Sequence, residues 1–170
     1  MKALKLALAA ALSLASAGSE AKEFKFSGAK TGALLAKCSK KDAAACYEMA
    51  MRYELGGRGV VRNRFKAQSF FADACELATL AEQKREDKMG SAGGRAMSDL
   101  RKRACLGNAA ALESFASGQC RSLVIYDELC EGGSQEACDN LARMKRDGWA
   151  PKESCSEEIV AKFGGGKPQR

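Results

Sequence analysis

The chain has 170 residues, 46% of them hydrophobic, a formal net charge of +7 and no histidine. That length holds one domain or a short array of repeats. Without histidine there is no imidazole metal ligand or general base, so any base chemistry falls to a carboxylate or a lysine of lowered pKa.

The chain begins as an export signal does. Lys2 and Lys5 precede the short apolar run LALAAALSL, and Ala15-Ser16-Ala17 is a small-x-small cleavage site, with a second candidate ending at Ala21. The run is too short to span a bilayer as a helix, so residues 1–17 read as a signal peptide. No cysteine follows either cleavage site, which argues against a lipoprotein, and no other apolar stretch approaches membrane length. The mature chain is therefore expected to be soluble, periplasmic or secreted, and without a transmembrane segment. All eight cysteines lie in that mature part. An even number of cysteines in an oxidising compartment reads as a disulfide framework. The lack of C-x-x-C and of zinc-knuckle spacing argues against a thioredoxin-type catalyst and against a metal site, and no cofactor is expected.

Residues 22–32 read as a flexible N-terminal segment. They contain SGAKTG, which holds Ser27-x-x-Lys30 and Lys30-Thr31-Gly32, two signatures of serine β-lactamases. In that fold the two lysines belong to separate elements, whereas here both motifs share Lys30, so the match reads as coincidence. From Asp42 to Leu55, Ala45, Met49 and Tyr53 recur at helical spacing with Cys46 and Ala50 beside them. GGRGVVRN then breaks the pattern. Gly57 and Gly59, with Gly56, allow positive φ and a sharp turn, and Asn63 is a candidate N-cap for the next helix. That helix is expected to bury Ala67, Phe70, Phe71, Ala74 and Cys75 on one face, making an αα-hairpin that cannot bury both apolar stripes alone. Scarce proline (Pro151 and Pro168) and abundant alanine extend the helical expectation to the whole chain.

Internal repetition follows. Four segments align on Cys38, Cys75, Cys105 and Cys130, each read as lying near the end of a second helix, at intervals that shrink along the chain. A second thiol at the same offset stands only in the first and last copies, as Cys46 and Cys138.

The stretch from Ala45 to Ala78 resembles a Sel-one-like repeat, a relative of the tetratricopeptide repeat. The resemblance rests on the alanine-led first helix, the G-x-G-V turn and the K-A start of the second helix, at Ala45, Gly57, Gly59, Val60, Lys66 and Ala67; Asn63 replaces the usual turn aspartate. It is fair over 109–149 and poor over 79–99. The paired cysteines resemble the disulfide-bearing branch, the Helicobacter cysteine-rich protein family, in which one bridge ties the end of one repeat to the start of the next. This implies an all-α chain, a short tetratricopeptide-like α-solenoid of about three to four stapled helical hairpins over residues 33–155, with 156–170 as a tail. It also implies Cys38–Cys46 and Cys130–Cys138 as bridges. The connectivity of Cys75, Cys105, Cys120 and Cys155 stays open; adjacency in a stack gives Cys75–Cys105 and Cys120–Cys155.

Function follows more loosely. Such stacks present a concave face lined by first helices, so the expectation is a non-catalytic exported scaffold that binds a protein, a peptide or a cell-envelope ligand. The resemblance also implies a β-lactam-binding or β-lactamase-like hydrolase as the alternative, but brings no motif assignable to a residue. Thiol-redox or envelope-assembly chemistry through an unpaired Cys120 or Cys155 is a third reading. The basic excess between Arg62 and Arg103 reads as solvated helix faces, with attraction to anionic envelope components as the sharper alternative. Nucleic acid is not an expected partner for an exported chain. Trp149 is expected to cap the last hairpin.

Overall fold

The computed structural model describes residues 28–89 and 97–148. The expected leader, residues 22–27, Ser27 with them, Trp149, Cys155 and residues 156–170 lie outside the described residues. Among the described residues the chain is all helical. Its elements are α1 (Thr31–Ser39), α2 (Ala43–Leu55), α3 (Arg64–Met89), α4 (Asp99–Glu113), α5 (Gln119–Glu131) and α6 (Gln135–Arg146), with one 3-10 turn, Ala116–Gly118, before α5. Each helix packs on its neighbour in the chain, from α1 on α2 through to α5 on α6.

Local chemistry sets the ends of these helices. The Asp42 side chain accepts from the Ala45 N–H at 3.1 Å, and Asn63 Oδ1 accepts from the Lys66 N–H at 2.9 Å. Ser98 and Ser134 do the same for α4 and α6. Each side chain satisfies an N–H that the first helical turn leaves without an intrahelical partner. At the α2–α3 turn Gly56, Gly57 and Gly59 all take positive φ, and the Gly57 and Val60 backbones bond each other at 2.8 and 3.0 Å.

The segment read as flexible up to residue 32 is anchored at its end. Thr31 opens α1; its hydroxyl donates to the Arg58 carbonyl at 3.1 Å and accepts from Arg52 Nη1 at 3.1 Å. Arg52 also donates to the Ala29 carbonyl at 2.8 Å and pairs with Glu48 at 3.1 Å. Arg52 is 5% exposed, so its charge requires these partners.

Two apolar clusters form the core. The first joins α1, α2 and α3 around Leu34, Cys46, Met49, Ala67 and Phe71; the second joins α4, α5 and α6 around Leu123, Tyr126, Leu129 and Met144. Helix α2 lies between α1 and α3, and every residue from Ala45 to Ala50 is buried. Tyr47 is therefore in the core, edge-on to Phe71 at 5.7 Å, although the one-stripe reading leaves it out. Phe71 and Ala74 are buried as expected, while Phe70 is half-buried and stacks on Tyr53 at 5.5 Å.

Helix α3 corrects the repeat alignment. It runs 26 residues, about 39 Å at 1.5 Å per residue. Cys75 therefore sits mid-helix, and Cys105 lies within α4, so neither marks a second-helix end. ELATLAEQKREDK after Cys75 is rich in strong helix formers and holds no glycine or proline, so nothing stops the helix there.

Candidate functional site

Three disulfides have both cysteines among the described residues, and each joins an odd-numbered helix to the next even-numbered one. Cys38–Cys46 ties α1 to α2, Cys75–Cys105 ties α3 to α4, and Cys130–Cys138 ties α5 to α6, all with Cα atoms 4.7 Å apart. Cys105 is thus the counterpart of Cys46 and Cys138, not of Cys38. The middle pair stands 30 residues apart instead of 8 because the long α3 and the residues after it intervene. Cys120 is also disulfide-bonded. Cys155, the partner that adjacency gives it, lies outside the described residues.

The interval of eight has a local cause. Lys41 and Gly133 take positive φ, +67° and +82°, at the C-terminal joints of α1 and α5. The Lys41 N–H bonds the Cys38 carbonyl at 2.8 Å and the Asp42 N–H bonds the Lys37 carbonyl at 3.1 Å; Gly133 and Ser134 repeat both bonds to Cys130 and Leu129, at 2.9 Å each. This is the Schellman arrangement, followed at once by an N-cap. It reverses the chain in three residues and brings the cysteine before the joint against the one a turn into the next helix.

The Cys38–Cys46 staple lies at the floor of a groove of about 880 Å3 between α1 and α3. Leu35 and Ala36 line it from α1, and Phe70, Leu77 and Leu80 from α3. Leu35 is 40% and Leu80 42% exposed, so the groove offers apolar surface to a ligand. Lys41, Asp73, Glu76 and Lys84 supply its charged positions. Burial holds the Asp73 carboxyl above its ordinary range, and the Lys41 ammonium pulls it part of the way back. Ser39 also lines the groove, and its hydroxyl donates to the Ala36 carbonyl at 2.9 Å. Both α1 and α3 count as second helices in the repeat reading, which placed the ligand face on first helices. Helix α2, a first helix in that reading, is buried from Ala45 to Ala50 between its neighbours, so the accessible concavity falls to the helices that flank it.

Gly57 and Gly59 take positive φ in the α2–α3 turn, Asn63 caps α3, and Ala67 is fully buried in the first core. Of the β-lactamase-like motif, Ser27 lies outside the described residues, and Thr31 holds Arg52 and Arg58 in place.

A polar cluster that the sequence did not flag ties the second core together. Glu113 of α4 accepts from Tyr126 Oη at 2.6 Å and from Arg143 Nη2 at 2.8 and 2.7 Å, joining α4, α5 and α6. Burial and the Glu113 carboxylate push the Tyr126 hydroxyl well above its usual pKa. At the seam, Glu82 of α3 accepts from the Ser98 N–H at 2.8 Å and pairs with Arg101 at 3.1 Å. Burial raises the Glu82 carboxyl, but the bonds from Ser98 and Arg101 outweigh it and hold the group below its ordinary range.

No protein-family model matches the chain, and neither a curated protein nor a solved structure matches it. Among the described residues no helix is long and apolar enough to cross a membrane, and no cluster of acidic or sulfur side chains is arranged for a metal ion.

Proposed function

We propose that this chain is an exported, disulfide-clamped helical-repeat module of the Sel-one-like kind, and that it holds a peptide or protein segment in the groove between α1 and α3. The groove is the observation that carries this reading. An apolar floor set between charged positions on two rigid helices suits a side-chain-rich ligand, and its volume falls in the range of binding clefts. The sequential packing of six helices, bridged pairwise, supports a short solenoid in which each hairpin leans on the next. The bridges fit an oxidising compartment.

The hydrolase alternative gains no support from the groove, where Ser39 bonds a backbone carbonyl rather than a base. The thiol-redox alternative is weakened because no cysteine is free among the described residues.

The test is a binding screen of envelope-derived peptides and muropeptides, run beside a β-lactam hydrolysis assay. Leu35→Glu and Leu80→Glu change exposed groove residues and are expected to weaken a true ligand at least tenfold while leaving the thermal transition in place. A ligand that binds both variants as well as the parent, or turnover that survives purification to homogeneity, refutes the reading.

A further inference from the structure

The α2–α3 turn gathers exposed groups of two kinds on one rigid piece of backbone. Leu55 is 71%, Val61 85% and Phe65 73% exposed. The Phe65 ring lies 4.9 Å from that of Phe115, which extends the apolar surface to the α4–α5 connection. Interleaved with these are Arg58, Arg62, Arg64 and Lys66, all exposed. Glu54 pairs with Arg62 at 3.3 Å, and among the described residues no carboxylate lies within ion-pair distance of Arg58 or Arg64. The turn is held by the Gly57–Val60 bonds, by Asn63 N–H to the Tyr53 carbonyl at 2.8 Å, and by Thr31 to the Arg58 carbonyl. Apolar tips and cations are thus presented together in a fixed arrangement.

A second copy of the chain is a poor cover for this patch, because a two-fold contact would set guanidinium against guanidinium. An anionic bilayer surface complements both kinds of group. Apolar side chains enter the boundary between head groups and acyl chains, while guanidinium groups bond lipid phosphates in a fork. We infer that the α2–α3 turn is a docking site for an anionic lipid surface, with Val61 and Phe65 as the inserting side chains and Arg58, Arg62 and Arg64 as the phosphate ligands. The turn lies at the C-terminal end of α2 and the Cys38–Cys46 floor of the groove at its N-terminal end, about 15 Å away along the helix.

Sedimentation of the disulfide-bonded protein, as exported, with vesicles tests this. Binding is expected with vesicles that are one-third phosphatidylglycerol, to weaken as salt rises, and to be much lower with phosphatidylcholine alone. Arg62→Gln and Arg64→Gln are each expected to lower partitioning about fivefold. Phe65→Ser is expected to lower it about tenfold and Val61→Ser by a smaller factor. Leu35→Ser and Leu80→Ser, in the groove, serve as exposed apolar controls and leave it unchanged. All six sites are exposed or half-exposed and leave the thermal transition intact. Equal binding to both vesicle types overturns the inference. So does binding that falls with the arginine variants but ignores Phe65 and Val61, which marks diffuse charge attraction. Concentration-dependent self-association abolished by Phe65→Ser overturns it as well, since the patch is then an interface between copies.

Discussion

Cys75 and Cys105 are bonded across the seam between the two cores. Cys75 packs against both apolar clusters, while α4 gives Ala104 to the first and Cys105 to the second. This bridge therefore does more than the two short ones: it holds one apolar core against the other.

Its weight is predictable from loop closure. Removing it as the double variant Cys75→Ala, Cys105→Ala frees a loop of 30 residues and should cost about 3.5 kcal/mol, against about 2.5 kcal/mol for Cys38 with Cys46, whose separation is 8. Urea unfolding of the two double variants checks the order. An equal or reversed loss contradicts it.

At the positive-φ position the two joints carry different residues, lysine in the first and glycine in the second. Lys41 holds a left-handed conformation that costs a residue with a Cβ about 1 kcal/mol. Lys41→Gly should therefore raise stability by up to about 1 kcal/mol, and Gly133→Ala should lower it by a similar amount. Paired melting curves read both signs at once.

Gly107 lets α4 approach α3. A Cβ placed there would lie 2.5 Å from the Phe71 ring, which is itself wedged against Tyr47. Alanine improves helix propensity by about 1 kcal/mol, but the clash costs about 1–3 kcal/mol, so Gly107→Ala should be net destabilising. In a double-mutant cycle, Phe71→Leu should recover part of that loss. Additive losses rule out the steric account.

The Tyr126–Glu113 bond makes stability fall at high pH. The hydroxyl pKa is raised in the fold, so its contribution is complete below about pH 10, the unfolded value, and is lost as pH climbs through the folded one. Tyr126→Phe should cost about 1.5 kcal/mol at neutral pH and flatten the alkaline loss relative to the parent. Denaturant midpoints measured from pH 8 to 11 decide this.

Glu82 works at the other end of the scale. Its carboxyl is held below the ordinary range, so its contribution is present above the unfolded value of about 4.3 and disappears as pH falls through the folded one. Glu82→Gln should weaken the protein at pH 7 and reduce the difference between pH 7 and pH 3. An unchanged acid slope would sink this assignment.

Much of the helical skeleton was readable from the residues. The stripe Ala45–Met49–Tyr53, the glycine turn and the Asn63 cap are local features, each fixed by a few neighbouring side chains, and they lie in the structure at α2, the turn and α3. The eight-residue cysteine interval is equally local, because a Schellman joint and an N-cap within three residues dictate where both thiols point. What could not be read was the continuation of α3 past Cys75: a cysteine suggested a repeat boundary, but helix propensity alone governed the segment after it. The Glu113–Tyr126–Arg143 cluster was equally hidden, since its members come from three helices and nothing in their spacing marks them.

The sequence by itself determined helix class, turn positions and the short staples, because capping, positive φ and loop closure act over fewer than ten residues. The tertiary structure alone decided that α2 is enclosed on both sides and that the open groove falls between α1 and α3. Those outcomes depend on which apolar faces meet, and side chains distant along the chain settle that only once the helices are packed.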